Sequence, residues 1–232
     1  MSAAAQEILT RVPVYFRQQA ELYGTEFYFT EPLERTPGAP LTLASFYEQI
    51  KACRKCRLAS SRKNFVFGVG NPNANLMCVG EGPGFEEDQQ GEPFVGPAGQ
   101  LLNKILGAIG FARQEVYIAN VVKCRPPGNR TPEPDEMAEC LPYLEKQIEL
   151  VQPRLILALG KVAAQGLLGV TDAIGRLRGQ VHRWREIPVV VTYHPAALLR
   201  NPQWKRATWE DVKRLRQLYD ETVGDKPKMD LK

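Results

Sequence analysis

Val79–Asn103 reads VGEGPGFEEDQQGEPFVGPAGQLLN, and the reading of this stretch decides the fold. It leaves an apolar run, Leu76, Met77, Cys78 and Val79, with no polar face, as a strand buried on both sides requires. It enters Leu101, Leu102, Ile105, Leu106 and Ile109, which share one face of a helix. Between them lie six glycines, three prolines and a group of acids, where a strand-to-helix connection takes only about 2–6 residues. Gly80, Gly82 and Gly84 allow the backbone close to a ligand, and Phe94 is an aromatic set in a polar loop. A mobile surface loop is the plain alternative. The favoured reading is an active-site loop at the carboxyl end of a parallel strand, where open α/β sheets bind ligands.

Outward from this stretch the chain keeps a strand–helix rhythm. Strands are expected at 76–80, 116–121, 154–159 and 187–192, and helices at 98–110, 133–150, 161–168 and 203–222. Short, almost wholly apolar strands alternating with helices imply a parallel sheet covered on both faces, so the expected fold is a three-layer α/β/α sandwich. Residues 41–56 read as a helix that delivers Cys53 and Cys56. Residues 1–24 read as an amphipathic helix interrupted at Pro13, and 30–40 as a proline-rich linker. The expected division is an N-terminal extension (1–40), the main domain (41–222) and a C-terminal tail (223–232).

The 232 residues are 44% hydrophobic and 24% charged, an ordinary globular composition. No run approaches the ~20 apolar residues of a membrane span, and no signal-peptide pattern is present, so a cytoplasmic location is expected. A net charge of +4 does not by itself indicate a polyanionic partner. Four basic clusters do raise nucleic acid: Arg54–Lys63, Lys123–Arg130, Arg176–Arg185 and Arg200–Arg206.

Of five cysteines, Cys78 sits inside an apolar strand and reads as core packing. Cys53 and Cys56 form a C-x2-C pair, with 67 residues between Cys56 and Cys124 and 15 between Cys124 and Cys140. In a cytoplasmic protein such a set reads as a metal site before a disulfide set. Spacing leaves tetrahedral zinc and a [4Fe–4S] cluster both open.

His194 follows the fourth strand, Glu81 the first, and Asn120 ends the second, so all three arrive at one edge of the sheet. There is no GK[S/T] phosphate loop, no Ser-His-Asp order, and GEGPG lacks GxGxxG spacing, which disfavours nucleotide binding and acyl transfer. An amide can read the edge of a planar heterocycle and an aromatic ring can stack on its face. Together they describe a pocket for a base taken out of the stack.

GEGPGFEED (80–88), GEPFVGPAGQLL (91–102), NVVKCRPPGNRTP (120–132) and YHPAALLRNP (193–202), with the four spaced cysteines, resemble the family 4, iron–sulfur uracil-DNA glycosylases. The resemblance covers about residues 41–220. It implies a four-stranded parallel sheet of order 2-1-3-4 and a [4Fe–4S] cluster on Cys53, Cys56, Cys124 and Cys140. It implies a monomer that acts on uracil-containing DNA, single- or double-stranded, and leaves an abasic site for base-excision repair without cutting the strand. By similarity, Gly80, Glu81 and Gly82 line the uracil pocket, Phe94 stacks on the base and Asn120 bonds its O4/N3 edge. His194 donates to O2, and Leu198 is the wedge that fills the gap left by the flipped nucleotide.

The chain departs from family 1 in two places: Gly82 stands where that family has its aspartate, and Gly84 where it has a tyrosine. Glu81 is then the nearest candidate for activating water, against a water positioned by backbone alone. A related branch forms a covalent adduct through a histidine in an inserted KRRIH loop, and CRPPGNRTP has none, so turnover is expected. A non-catalytic iron–sulfur nucleic-acid-binding protein on the same fold is the alternative.

Overall fold

A computed structural model describes residues 41–229. The helix, kink and linker expected within 1–40 lie outside the described residues. In chain order the helices are α1 (Leu43–Ile50), α2 (Phe85–Gln90), α3 (Pro97–Ala108), α4 (Pro134–Val151), α5 (Lys161–Leu168), α6 (Ile174–Leu177), α7 (Pro195–Arg200) and α8 (Lys205–Thr222). The strands are β1 (Val69–Gly70), β2 (Leu76–Gly80), β3 (Tyr117–Asn120), β4 (Leu155–Leu159), β5 (Val181–Trp184) and β6 (Ile187–Thr192).

The sheet runs β1-β3-β2-β4-β6-β5. The inner four strands are parallel, and β1 and β5 close the two edges antiparallel. The expectation of a four-stranded, all-parallel sheet is therefore corrected to a mixed sheet of six. Both additions escape periodicity for a physical reason. β1 is two residues long, and β5 carries an exposed-to-buried pattern around His182 and Arg183 rather than an apolar run. Edge strands see water on one side and need no continuous apolar sequence.

Side-chain alternation along each strand builds two cores. Met77, Val79, Ala119, Ile156, Ala158 and Val191 face α1, α4 and α5 through Phe46, Leu144, Ile148, Ala163 and Leu167. Leu76, Cys78, Ile118, Leu157 and Val190 face α3 and α8 through Leu102, Leu106, Val212, Leu215 and Tyr219. The result is three layers, helix on sheet on helix, and Cys78 packs in the second core at 0% exposure. Among the described residues no helix is long and apolar enough to cross a membrane.

Two further expectations change. The helix expected over 41–56 ends at Ile50, so Cys53 and Cys56 sit in the loop beyond it. The long loop after β2 contains α2, a helix of six residues that its glycines and prolines conceal. Lys226, past Thr222, is paired to Glu115, and Arg216 donates to the Pro227 carbonyl.

Candidate active site

Three strand ends meet in one cavity of ≈ 410 Å³. Gly80 and Asn120 are register partners at the ends of β2 and β3, and His194 caps the N-terminus of α7 just past β6. Of the candidate residues Glu81, Gly82, Phe94, Asn120 and His194 line the cavity, together with Glu87, Thr131 and Arg200.

Two glycines make the convergence possible. A Cβ on Gly80 would lie 2.4 Å from Asn120 Oδ1 and 2.6 Å from Phe94 Cζ, so only glycine lets amide and ring share this corner. A Cβ on Gly99 would lie 1.9 Å from the Phe94 carbonyl oxygen, which rests on the first turn of α3. Phe94 itself holds the left-handed conformation, φ 54°, that a non-glycine residue adopts only at a cost of roughly 1–3 kcal/mol. Surrounding bonds impose it. Arg113 donates to the Phe94 carbonyl at 3.1 Å and to the Pro93 carbonyl at 2.6 Å. Glu87 accepts from the N–H groups of Gly84, Val95 and Gly96 at 3.1, 3.0 and 2.9 Å. The acids of this loop, which have no evident role in the sequence, thus include its brace. Asp88 adds a second tie, accepting from the Lys63 and Asn64 N–H groups at 2.9 and 3.1 Å.

Asn120 is 2% exposed, and its Oδ1 is buried with no hydrogen-bond partner. Its backbone carbonyl receives the Lys123 ammonium at 2.8 Å, and Lys123 also donates to Gln147 on α4. Gln147 in turn donates to the Phe67 carbonyl and to Tyr117 Oη at 2.9 and 3.1 Å. Lys123 therefore belongs to the buried framework under Asn120, not to a DNA-facing basic cluster, and burial pushes it down to about 8. No periodicity signals this role.

The His194 ring lies 5.5 Å from the Phe94 ring, tilted by 32°. Burial, helped by the Arg200 charge, pushes its pKa down to about 4, so it is neutral at pH 7. Its Nδ1 accepts the Ala196 N–H at 3.2 Å, which leaves the ring proton on Nε2. Desolvation raises the Glu81 carboxyl above its ordinary value against the pull of a Thr131 hydrogen bond and the Arg200 charge. Leu198 is 1% exposed, while Leu199 beside it is 48% exposed. Of the two, Leu199 is the side chain that faces solvent, and Leu198, the expected wedge, is enclosed by its own protein.

The four spaced cysteines gather away from this cavity, and none is in a disulfide. Cys53 and Cys56 act electrostatically on Cys124, and Cys124 and Cys56 on Cys140. Donors surround the sulfurs: Lys55 N–H and Tyr143 Oη to Cys53 at 3.5 and 3.3 Å, Arg62 Nη1 to Cys124 at 3.0 Å, and Lys123 N–H to Cys140 at 3.3 Å. Among the described residues no group of three or more His, Cys, Asp or Glu is arranged to hold a single metal ion. The loop bearing Cys53 and Cys56 is tied to α4 by Glu136. Its Oε1 accepts from Arg57 and Arg130 at 2.8 and 2.7 Å, and its Oε2 from Arg130 and the Glu133 N–H at 2.8 Å each.

Comparison with known proteins gives one family. The model of the uracil DNA glycosylase superfamily matches residues 67–213. The chain is 44% identical over 185 residues to the type-4 uracil-DNA glycosylase of Archaeoglobus fulgidus, covering 76% of this chain and 93% of that protein. The type-4 uracil-DNA glycosylase of Sulfurisphaera tokodaii is 43% identical over 186 residues, 76% of this chain and 84% of that one. For that of Saccharolobus solfataricus the figures are 42% over 189 residues, 78% and 86%.

Proposed function

The chain belongs to the uracil DNA glycosylase superfamily, among the type-4 enzymes, and from that premise we propose that it excises uracil from DNA in the cavity at the β2, β3 and β6 ends. The observation that carries the assignment to this cavity is the Asn120 side chain. A buried acceptor with no partner is unfavourable by about 1–3 kcal/mol, and an N–H on the ligand relieves it. Uracil offers N3–H to Oδ1 and O4 to the adjacent amide NH2. Cytosine offers the reverse pattern, an acceptor at N3 and an amine at C4, so both amide atoms would be mispaired. Mispairing of buried polar groups supports discrimination of ~10⁴.

Phe94 supplies a ring face for the flipped base, and Gly80 and Gly82 let the backbone close on it. As the C1′–N1 bond breaks, its electron pair moves onto the uracil ring and the sugar acquires oxocarbenium character. A neutral His194 with its proton on Nε2 donates to the developing O2 charge, and comparable oxyanion donors contribute ~10²–10³ in rate. Water adds to C1′, and its proton passes to Glu81, whose carboxylate burial makes more basic than an ordinary one. Gly82 offers no second base, and a Cβ there would lie 2.7 Å from Val122 Cγ2. No lysine lines the cavity among the described residues, which agrees with base removal that leaves the strand uncut. Leu199, exposed at the end of α7, is the side chain free to fill the vacated stack.

Hydrogen bonds to the sulfurs of Cys53, Cys124 and Cys140 are of the kind that tune cysteine-bound iron–sulfur clusters. Cys53, Cys56, Cys124 and Cys140 would hold a [4Fe–4S] cluster. Its contribution would be structural, joining the loop after α1 to the start of α4.

The test is a labelled oligonucleotide with one uracil, incubated with pure protein and then treated with alkali. Cleavage at the uracil position only after alkali is the expected result. An intact strand at equimolar protein overturns the assignment, and cleavage before alkali overturns base removal that leaves the strand uncut.

A further inference from the structure

Phe85 takes no part in the chemistry above. It is the first residue of α2 and, at 53%, the most exposed large apolar side chain among the described residues. Single exposed apolar residues are ordinary. This one stands on the rim of the cavity that Asn120, Phe94 and His194 line. The Arg125 guanidinium lies over its ring, 5.1 Å from the centroid. Arg125 is itself fixed, its Nε donating to Asn129 Oδ1 at 2.7 Å, and Asn129 belongs to the same rim. Arg200 and Arg130, the latter paired to Glu136, line the same cavity beside Glu81, Glu86 and Glu87. An aromatic ring oriented by a cation and open on its remaining surface has the composition of a single-strand stacking platform.

We propose that Phe85 stacks on a base next to the flipped uracil, on the same strand, with Arg125 holding the ring from behind. This rests on the reading of the cavity as a uracil site. Flipping unstacks the neighbouring bases, and a ring at the mouth would replace one lost stacking partner. The contribution should be largest on single-stranded DNA, where no complementary strand holds the neighbour in place.

The experiment uses the full chain, Phe85→Ala and Phe85→Trp on single-stranded oligonucleotides. The nucleotides flanking uracil are either intact or replaced, one side at a time, by an abasic spacer. Base stacking of this kind predicts a KM about 5-fold or more higher for Phe85→Ala, with kcat within about twofold and recovery in Phe85→Trp. Removing the base on one side should raise KM for the wild type by a similar factor and leave Phe85→Ala unaffected. An unchanged KM in Phe85→Ala, or equal losses in both proteins on base removal, overturns the proposal. No uracil release by the wild type would instead overturn the reading of the cavity itself.

Discussion

In the proposed mechanism Asn120 reads the O4/N3 edge of the base and His194 donates to O2, and each can be tested alone. Asn120→Ala removes the amide that reads the base and His194→Ala removes the donor to O2. Each should lower single-turnover uracil release by ~10²–10³ while leaving DNA binding within a few-fold. Normal release by either variant, measured at saturating enzyme, would remove that residue from the mechanism. The pH profile separates the two ionisable groups. His194 is neutral above about 4, so it adds no limb near its ordinary value of 6.5. Glu81 has a raised pKa, so the rate should fall on the acid side at a pH above its ordinary 4.5, as the carboxylate is protonated. Glu81→Gln should flatten that limb; a limb that survives unchanged would assign the water to backbone groups alone.

The elements around the site are held by side chains whose roles only packing defines. Glu136 is the clearest: it is fully buried and joins the loop of Cys53 and Cys56 to the start of α4 through Arg57 and Arg130. Arg130 foremost holds its carboxyl down to about 2, from an ordinary 4.5. A depressed carboxyl stabilises the fold fully above its unfolded value and loses that contribution as pH falls through its folded value. The window is therefore about pH 4.5 down to about 2. Both arginines are partly exposed, so the contribution is set at ~2 kcal/mol after discounting for solvent. Glu136→Gln should lower urea-unfolding stability by that amount at pH 7 and converge with the wild type near the bottom of the window. An equal difference at every pH would show that shape, not charge, carries the contact.

At the scale of the whole molecule, the cysteine group and the base cavity occupy different places on one scaffold, linked through β3 and α4. Lys123 embodies the link: its backbone N–H donates to Cys140 and its ammonium to the Asn120 carbonyl. The purified protein should be brown, with broad absorption near ~400 nm, as thiolate-ligated iron–sulfur clusters are. Cys140→Ser should bleach it and lower its thermal midpoint. A colourless protein with stoichiometric zinc would overturn the iron assignment.

The sequence by itself determined the layered α/β plan, because buried parallel strands must be apolar throughout and cannot be written any other way. It also brought Glu81, Asn120 and His194 to one sheet edge, since the end of each strand is marked by where the apolar run stops. Tertiary structure alone decided what those runs do not encode. The edge strands, half in water, carry no periodic signal. Lys123 looks like a surface cation until its partners Asn120 and Gln147 are seen around it. Leu198 and Leu199 are identical in composition and adjacent in sequence, and only the packing of α7 buries one and exposes the other. Glu87, in the loop that opens at Val79, and Arg113, beyond α3, are ordinary charges in sequence. Folded, their bonds hold Phe94 left-handed against Gly80 and Gly99, because a strained backbone persists only where contacts from distant residues over-determine it.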